Sequence, residues 1–277
     1  MTVALIDSGI GLLPTAGWLR WLAPSVDLLL LLDPDGMPWG SKSAQFITER
    51  LLAAGEIAVE RGAQALVVPC NTATVTAIDA LRESFEPGIP VIGTVPAIKP
   101  AASAGAPIAV WATVRTTESE YQQRLVAEHA DGVPVFPVAC PGLAEAVDCG
   151  DRVAIVRAVA AAVEQTPRAC SSVVLGCTHY PLVADQIMLS LPDATTLYDS
   201  AEAVARQTLR RLDVPPGPSQ GPGRVNVVVS GRAGVLPPAA QCFPVGRALM
   251  TAAAMPLEFL TPATSVRRLT RETLLQE

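Results

Sequence analysis

The chain has 277 residues, half of them hydrophobic, and 20 Lys and Arg against 26 Asp and Glu give it a net charge of −6. That length can bury one large core or two medium ones, with two domains the better fit. No basic cluster marks a nucleic-acid phosphate track, and Arg267, Arg268 and Arg271 read as a solvated helix face.

Two histidines and six cysteines without C-x-x-C spacing argue against a multi-histidine metal centre, a zinc site or a disulfide framework, and for free thiols. The N-terminus lacks the basic region, apolar stretch and small-residue cleavage site of a signal peptide. The longest strongly apolar run, Leu28–Leu32, is far too short to cross a bilayer. A cytoplasmic protein with neither a nucleic-acid nor a membrane partner is expected.

In chain order, apolar runs predict strands at Val3–Ile6, Val26–Leu32, Ala65–Pro69, Pro90–Gly93, Ile108–Ala112, Val133–Val138, Ser172–Leu175 and Arg224–Val229. Helices fit Ser43–Arg61, Thr72–Ser84, Thr117–His129, Arg152–Glu164, Pro181–Leu191 and Ser200–Leu212. Such alternation predicts an α/β fold with parallel sheets covered on both faces and right-handed crossovers. The Pro- and Gly-rich stretch Val214–Gly223 reads as a linker.

Two of these strands run straight into a cysteine followed by hydroxyl or amide residues: Val68-Pro69-Cys70-Asn71-Thr72-Ala73-Thr74 and Leu175-Gly176-Cys177-Thr178-His179-Tyr180-Pro181. A buried strand that turns into a helix delivers its last side chain to the carboxyl edge of a parallel sheet, where open α/β folds place ligands. A helix N-terminus there also favours thiolate over thiol. The two cysteines lie 107 residues apart, and Ala4–Gly9 matches Ala109–Thr113 at an offset of 105. The near-equal offsets point to two related α/β halves, each giving one strand-end hydroxyl turn and one strand-end cysteine.

The ordered motifs resemble those of the glutamate racemase branch of the aspartate/glutamate racemase superfamily. Ile6-Asp7-Ser8-Gly9-Ile10-Gly11 is similar to that family's opening turn, and Pro38-Trp39-Gly40 to its P-Y-G. The segments Cys70–Thr74 and Gly176–Pro181 resemble its two catalytic motifs, Val95–Ala101 the segment between its halves, and Tyr198–Ala201 its late strand-to-helix junction. Val229-Ser230-Gly231 is a weaker echo.

The resemblance implies two pseudo-symmetric α/β domains, each a mostly parallel sheet flanked by helices, with the active site in the interdomain cleft. The first domain would hold residues 1–97 and 210–277, the second 98–209. It implies cofactor-independent interconversion of L- and D-glutamate, supplying peptidoglycan, with a small-molecule amino-acid substrate, no metal and no pyridoxal phosphate. The family's dimers leave a homodimer open.

Inverting an amino acid requires one group to take the α-proton and another to deliver one to the opposite face. A free cysteine of pKa about 8.5 is only a few per cent thiolate at neutral pH, so each thiol needs a neighbour to tune it. By resemblance Cys70 is served by Asp7 and Cys177 by His179. Asp148 falls where the family shows a glutamate behind the histidine, one methylene longer. Ser8, Trp39, Gly40, Asn71, Thr72, Thr113, Thr116 and Thr178 match substrate-binding positions, as do Asp7 and His179.

Blander readings compete with these. Asp7-Ser8-Gly9 also fits a turn with a helix cap, and Asn71-Thr72 an N-cap alone. His179 also fits a satisfied structural histidine. Cys140, Cys149, Cys170 and Cys242 read as small core hydrophobes. Three positions depart from the family pattern: Leu12 where a second glycine is usual, Trp39 for tyrosine, and Gly36 for arginine. They keep open a superfamily isomerase acting on another acid, or a ligand-binding homologue without turnover.

Overall fold

The computed structural model describes residues 1–130, 132–217 and 221–251. Arg267, Arg268 and Arg271 lie outside these residues, as does part of the Val214–Gly223 linker. The described chain divides into two compact units, one made of residues 1–95 and 201–251, the other of residues 96–200.

The first unit opens with β1 (Thr2–Asp7), a 3-10 turn at Ile10–Leu12, α1 (Leu13–Leu22), β2 (Asp27–Leu32), a second 3-10 turn at Trp39–Ser41 and α2 (Ala44–Glu60). It continues with β3 (Ala65–Val68), α3 (Asn71–Phe85) and β4 (Val91–Gly93). The second unit holds α4 (Ile98–Ala102), β5 (Ile108–Ala112), α5 (Val114–Thr117), α6 (Glu120–His129), β6 (Val135–Ala139), α7 (Leu143–Cys149) and α8 (Arg152–Gln165). Then come β7 (Ser172–Leu175), a 3-10 turn at Tyr180–Val183, α9 (Ala184–Ser190) and β8 (Thr196–Tyr198). The chain re-enters the first unit with α10 (Ala201–Arg211), β9 (Val225–Val229), β10 (Arg232–Gly234) and α11 (Pro244–Met250).

The first sheet has the order β10-β9-β2-β1-β3-β4 and the second β6-β5-β7-β8. All pairs are parallel except the terminal β9–β10 hairpin. The run β2-β1-β3-β4 therefore has the same order as β6-β5-β7-β8, four strands later in the chain. This is the structural form of the sequence offset between the two halves. The inner strands read as continuous apolar runs, Leu28–Leu32 among them, because helices cover both faces. Pro137 sits in β6, an edge strand, where its missing N–H breaks no ladder.

In the first unit α2 and α3 pack Ile47, Leu51, Ala77 and Leu81 against Ala4, Ile6, Leu66 and Val68 of the sheet. In the second, α4 and α6 bring Ile98, Ala101 and Leu125 onto Ile108, Val110 and Val174. Trp111 on β5 is fully buried and its indole Nε1 donates to Thr166 Oγ1 at 2.9 Å.

Two sequence expectations change. The predicted helix Pro181–Leu191 is a 3-10 turn followed by the shorter α9. Cys149 and Cys242 are exposed rather than core residues, whereas Cys140 and Cys170 are buried. Among the described residues all six cysteines are free, and no helix is long and apolar enough to cross a membrane.

Gly176 links β7 to Cys177 with its N–H on Trp111 O at 2.7 Å, and a Cβ at this position would come within 2.9 Å of that same oxygen. The strand end is therefore held too close to β5 for any side chain. Gly176→Ala is expected to lower the urea-unfolding midpoint by an amount corresponding to about 1–3 kcal/mol, as overpacking does.

Candidate active site

In the first unit, β1 and β3 pair in register from Val3–Ala65 to Leu5–Val67, so Asp7 and Cys70 leave neighbouring strand ends. Asp7 is fully buried, and its Oδ1 accepts the Ser8 backbone N–H at 2.7 Å and faces the Ser8 hydroxyl at 3.5 Å. Cys70 is the extended N-cap residue of α3, and its carbonyl accepts the Thr74 N–H at 2.9 Å. The thiol therefore sits where the helix dipole favours an anion.

Thr74 holds this turn in place. Its hydroxyl donates to Val68 O at 3.3 Å and accepts the Thr94 N–H at 3.1 Å, binding the first turn of α3 to the ends of β3 and β4. Beside it Asn71 is buried, yet neither its Oδ1 nor its Nδ2 has a partner in the protein. The side chain does not cap the helix, which overturns the capping-only reading. Both polar atoms of this buried amide are thus available for hydrogen bonds from outside the protein. Thr72 is buried in the same turn, and Gly40 is half-buried in the Trp39–Ser41 turn. Trp39 is only 1% exposed and gives its indole N–H to Asp33 at 3.0 Å.

In the second unit, Cys177 follows β7 and is buried at 7% exposure. His179 Nδ1 lies 3.9 Å from its Sγ, while His179 Nε2 lies 3.1 Å from Asp148 Oδ1 at the end of α7. The aspartate reaches the histidine in spite of the missing methylene. A carboxylate on Nε2 holds the proton on that nitrogen and turns Nδ1 toward the thiol as an acceptor. No α-helix begins at this cysteine, since Thr178 and His179 separate it from the 3-10 turn that precedes α9, and the ring facing its thiol is that of His179. This corrects the expectation that both cysteines sit at helix N-termini.

Thr113 and Thr116 bond each other, with the hydroxyls 3.1 Å apart and the Thr116 N–H donating to Thr113 Oγ1 at 3.4 Å. They cap the short helix α5 at the end of β5. Thr178 is half-buried beside Cys177.

Sequence reasoning took Cys140 for a core residue and gave Tyr180 no role. Burial first, then the neighbouring Cys177, pushes the Cys140 thiol up to about 12. Burial first, then Cys177, Cys140 and Glu145, holds the Tyr180 hydroxyl well above its ordinary value. The Tyr180 hydroxyl donates to Cys140 O at 3.4 Å. Cys177 therefore shares its surroundings with two groups that stay neutral. The position of Tyr180 within Cys177–Pro181 was the available signal.

The model of the Asp/Glu/Hydantoin racemase family matches residues 37–208. The glutamate racemase of Pseudomonas aeruginosa is 39% identical over 218 residues, covering 76% of this chain and 81% of the relative. That of Herpetosiphon aurantiacus is 38% identical, covering 76% and 84%. This chain belongs to the Asp/Glu/hydantoin racemase family. Among solved structures, Escherichia coli glutamate racemase in complex with L-glutamate and the activator UDP-MurNAc-Ala superposes with a TM-score of 0.76 at 30% identity, over 92% of this chain and 96% of that one. The Thermus thermophilus glutamate racemase in complex with β-chloro-D-alanine gives 0.66 at 26% identity, over 98% and 97%.

Cys140 and Tyr180 are neutral in the folded protein and ionise in the unfolded chain from ordinary values of 9.0 and 10.0. The stability they contribute is complete below about pH 9 and is lost as pH rises toward about 12. Urea unfolding is expected to be flat from pH 7 to 8.5 and to weaken above 9, less so in Cys140→Ala. Iodoacetamide at pH 8 should label exposed Cys149 and Cys242 and leave Cys140 unmodified until the protein unfolds.

Proposed function

We propose that this protein interconverts L- and D-glutamate without a cofactor, with Cys70 and Cys177 as the two proton-transfer groups on opposite faces of the substrate Cα. The observation that carries this reading is the duplication of one strand-end device. In two sheets of matching strand order, the strand beside the central one ends in a buried cysteine with its own tuning group. Asp7 and the α3 N-terminus serve Cys70, and the His179–Asp148 pair serves Cys177. Membership of the family and the names of its relatives support glutamate as the substrate.

With L-glutamate bound, one cysteine acts as thiolate and removes the α-proton while the other, as thiol, protonates the opposite face. The roles reverse for D-glutamate. Asp148 holds His179 in the tautomer that can take or return the Cys177 proton. Asn71, with its buried unpartnered amide, is the strongest binding residue. Ser8, Gly40, Thr72, Thr178 and the Thr113–Thr116 pair complete the polar lining proposed for the carboxylates and ammonium. The product would supply D-glutamate for peptidoglycan from the cytoplasm.

Chiral chromatography after incubation with either enantiomer tests this directly. The wild type is expected to approach an equal mixture from both sides, while Cys70→Ser and Cys177→Ser each slow the reaction by about 10²-fold or more. Full activity in both variants contradicts the reading, and turnover of another acid with glutamate inert moves the assignment to a different superfamily member. Asp148→Asn is expected to lower kcat by about 10- to 100-fold with little change in KM, because it removes support for proton transfer and not a substrate contact.

A further inference from the structure

Asp33, the first residue after β2, accepts hydrogen bonds from three side chains, those of Arg50, Trp39 and Ser230. Its Oδ2 accepts Arg50 Nε at 2.8 Å and Trp39 Nε1 at 3.0 Å. Its Oδ1 accepts Arg50 Nη2, and also the Ser230 hydroxyl at 3.4 Å. The bond to Asp33 holds the Arg50 guanidinium above its ordinary value.

The backbone repeats these ties. Asp33 N–H donates to Ser8 O at 3.1 Å, Ser230 N–H to Leu32 O at 2.8 Å, and Asp35 N–H to the Ser230 hydroxyl at 3.2 Å. The segment from Asp33 to Trp39 is thus fastened to the ends of β1 and β9 and to the middle of α2. Asp7, Asp33, Trp39, Arg50 and Ser230 line one small cavity of roughly 90 Å³.

The Arg50 side chain is 36% exposed, so water screens the pair and its attraction is a poor source of stability. What the pair does is specify geometry. Arginine's planar donors fix the carboxylate in two directions at once, and the carboxylate fixes the indole of Trp39, the residue before Gly40. Gly36 is part of the same arrangement. A Cβ there would lie 2.1 Å from Asp33 Oδ2 and 3.1 Å from Trp39 Nε1, so any side chain at 36 would evict the carboxylate from the position that Arg50 and Trp39 share.

We propose that the Arg50–Asp33 pair is a positioning device for the Trp39–Gly40 turn and sets the affinity of this unit for the dicarboxylic amino acid, with Gly36 kept bare to admit it. This rests on the racemase reading above. Arg50 itself touches no reacting atom; it acts through Asp33 and Trp39.

Steady-state racemisation of L-glutamate by the wild type, Arg50→Ala, Arg50→Lys, Gly36→Ala and the Arg50→Ala/Gly36→Ala double variant tests the proposal. In parallel, the Trp39 indole N–H is followed by ¹⁵N–¹H spectroscopy, its resonance assigned with Trp39→Phe. Arg50→Ala is expected to raise KM about tenfold with kcat changed by less than about threefold, the pattern of lost binding and not of lost chemistry. Arg50→Lys recovers most of the KM because it is still able to pair with Asp33.

Gly36→Ala shifts the indole resonance in the same direction as Arg50→Ala, and the double variant is no worse than the poorer single one, because both break one unit. An active wild type whose KM and indole resonance are unmoved by Arg50→Ala overturns the proposal alone. So does a fall in kcat without a change in KM, or additive single effects. An inactive wild type overturns the racemase reading on which the proposal rests.

Discussion

Parallel pairing about a central strand is the constraint from which the rest of this structure follows. Parallel strands buried on both faces have only their ends available for chemistry, and all carboxyl ends of a parallel sheet point the same way. In the first unit β1 and β3 pair side by side and release Asp7 and Cys70 at that edge. In the second, β5 and β7 pair in the same fashion and release Thr113 and Cys177. The close approach of Gly176 to Trp111 and the three-way tie made by Thr74 are local devices that hold those ends in register. Each is made beside one of the two cysteines.

The two cysteines sit in different surroundings. Cys70 relies on the N-terminus of α3 and on the neighbouring strand end that carries Asp7. Cys177 has no helix of its own and depends on a histidine two residues on and an aspartate from α7. Close to it, Cys140 and Tyr180 are kept neutral by burial.

Much of the fold was legible in the sequence because strands such as Leu28–Leu32 and Val173–Leu175 are unbroken apolar runs, and α2, α3, α6, α8 and α10 alternate with them. Helix α1 was not, because nearly all of Leu13–Leu22 is buried and offers no polar face to reveal a helical period. Strands β8 and β10 are three residues each and lack the buried apolar pair that marks the equally short β4. Cys149 and Cys242 were misread because cysteine is usually buried and single residues carry no periodicity. At the site, both catalytic motifs were readable as contiguous segments. The reach of Asp148 to His179 spans 31 positions and needed the geometry of α7. The Arg50–Asp33–Trp39 set joins a strand end, a turn and a helix, and nothing in local sequence connects them.

The proposed chemistry comes down to whether two separate groups handle the proton. The most direct measurement is the isotopic content of both enantiomers at early times when protiated L-glutamate is turned over in D₂O. Two-thiol transfer requires the first D-glutamate formed to carry deuterium at Cα, delivered by a thiol equilibrated with solvent, while the remaining L-glutamate keeps its proton. D-glutamate retaining the substrate's own proton would mean that one group serves both faces, and would contradict the assignment of Cys70 and Cys177 as a pair.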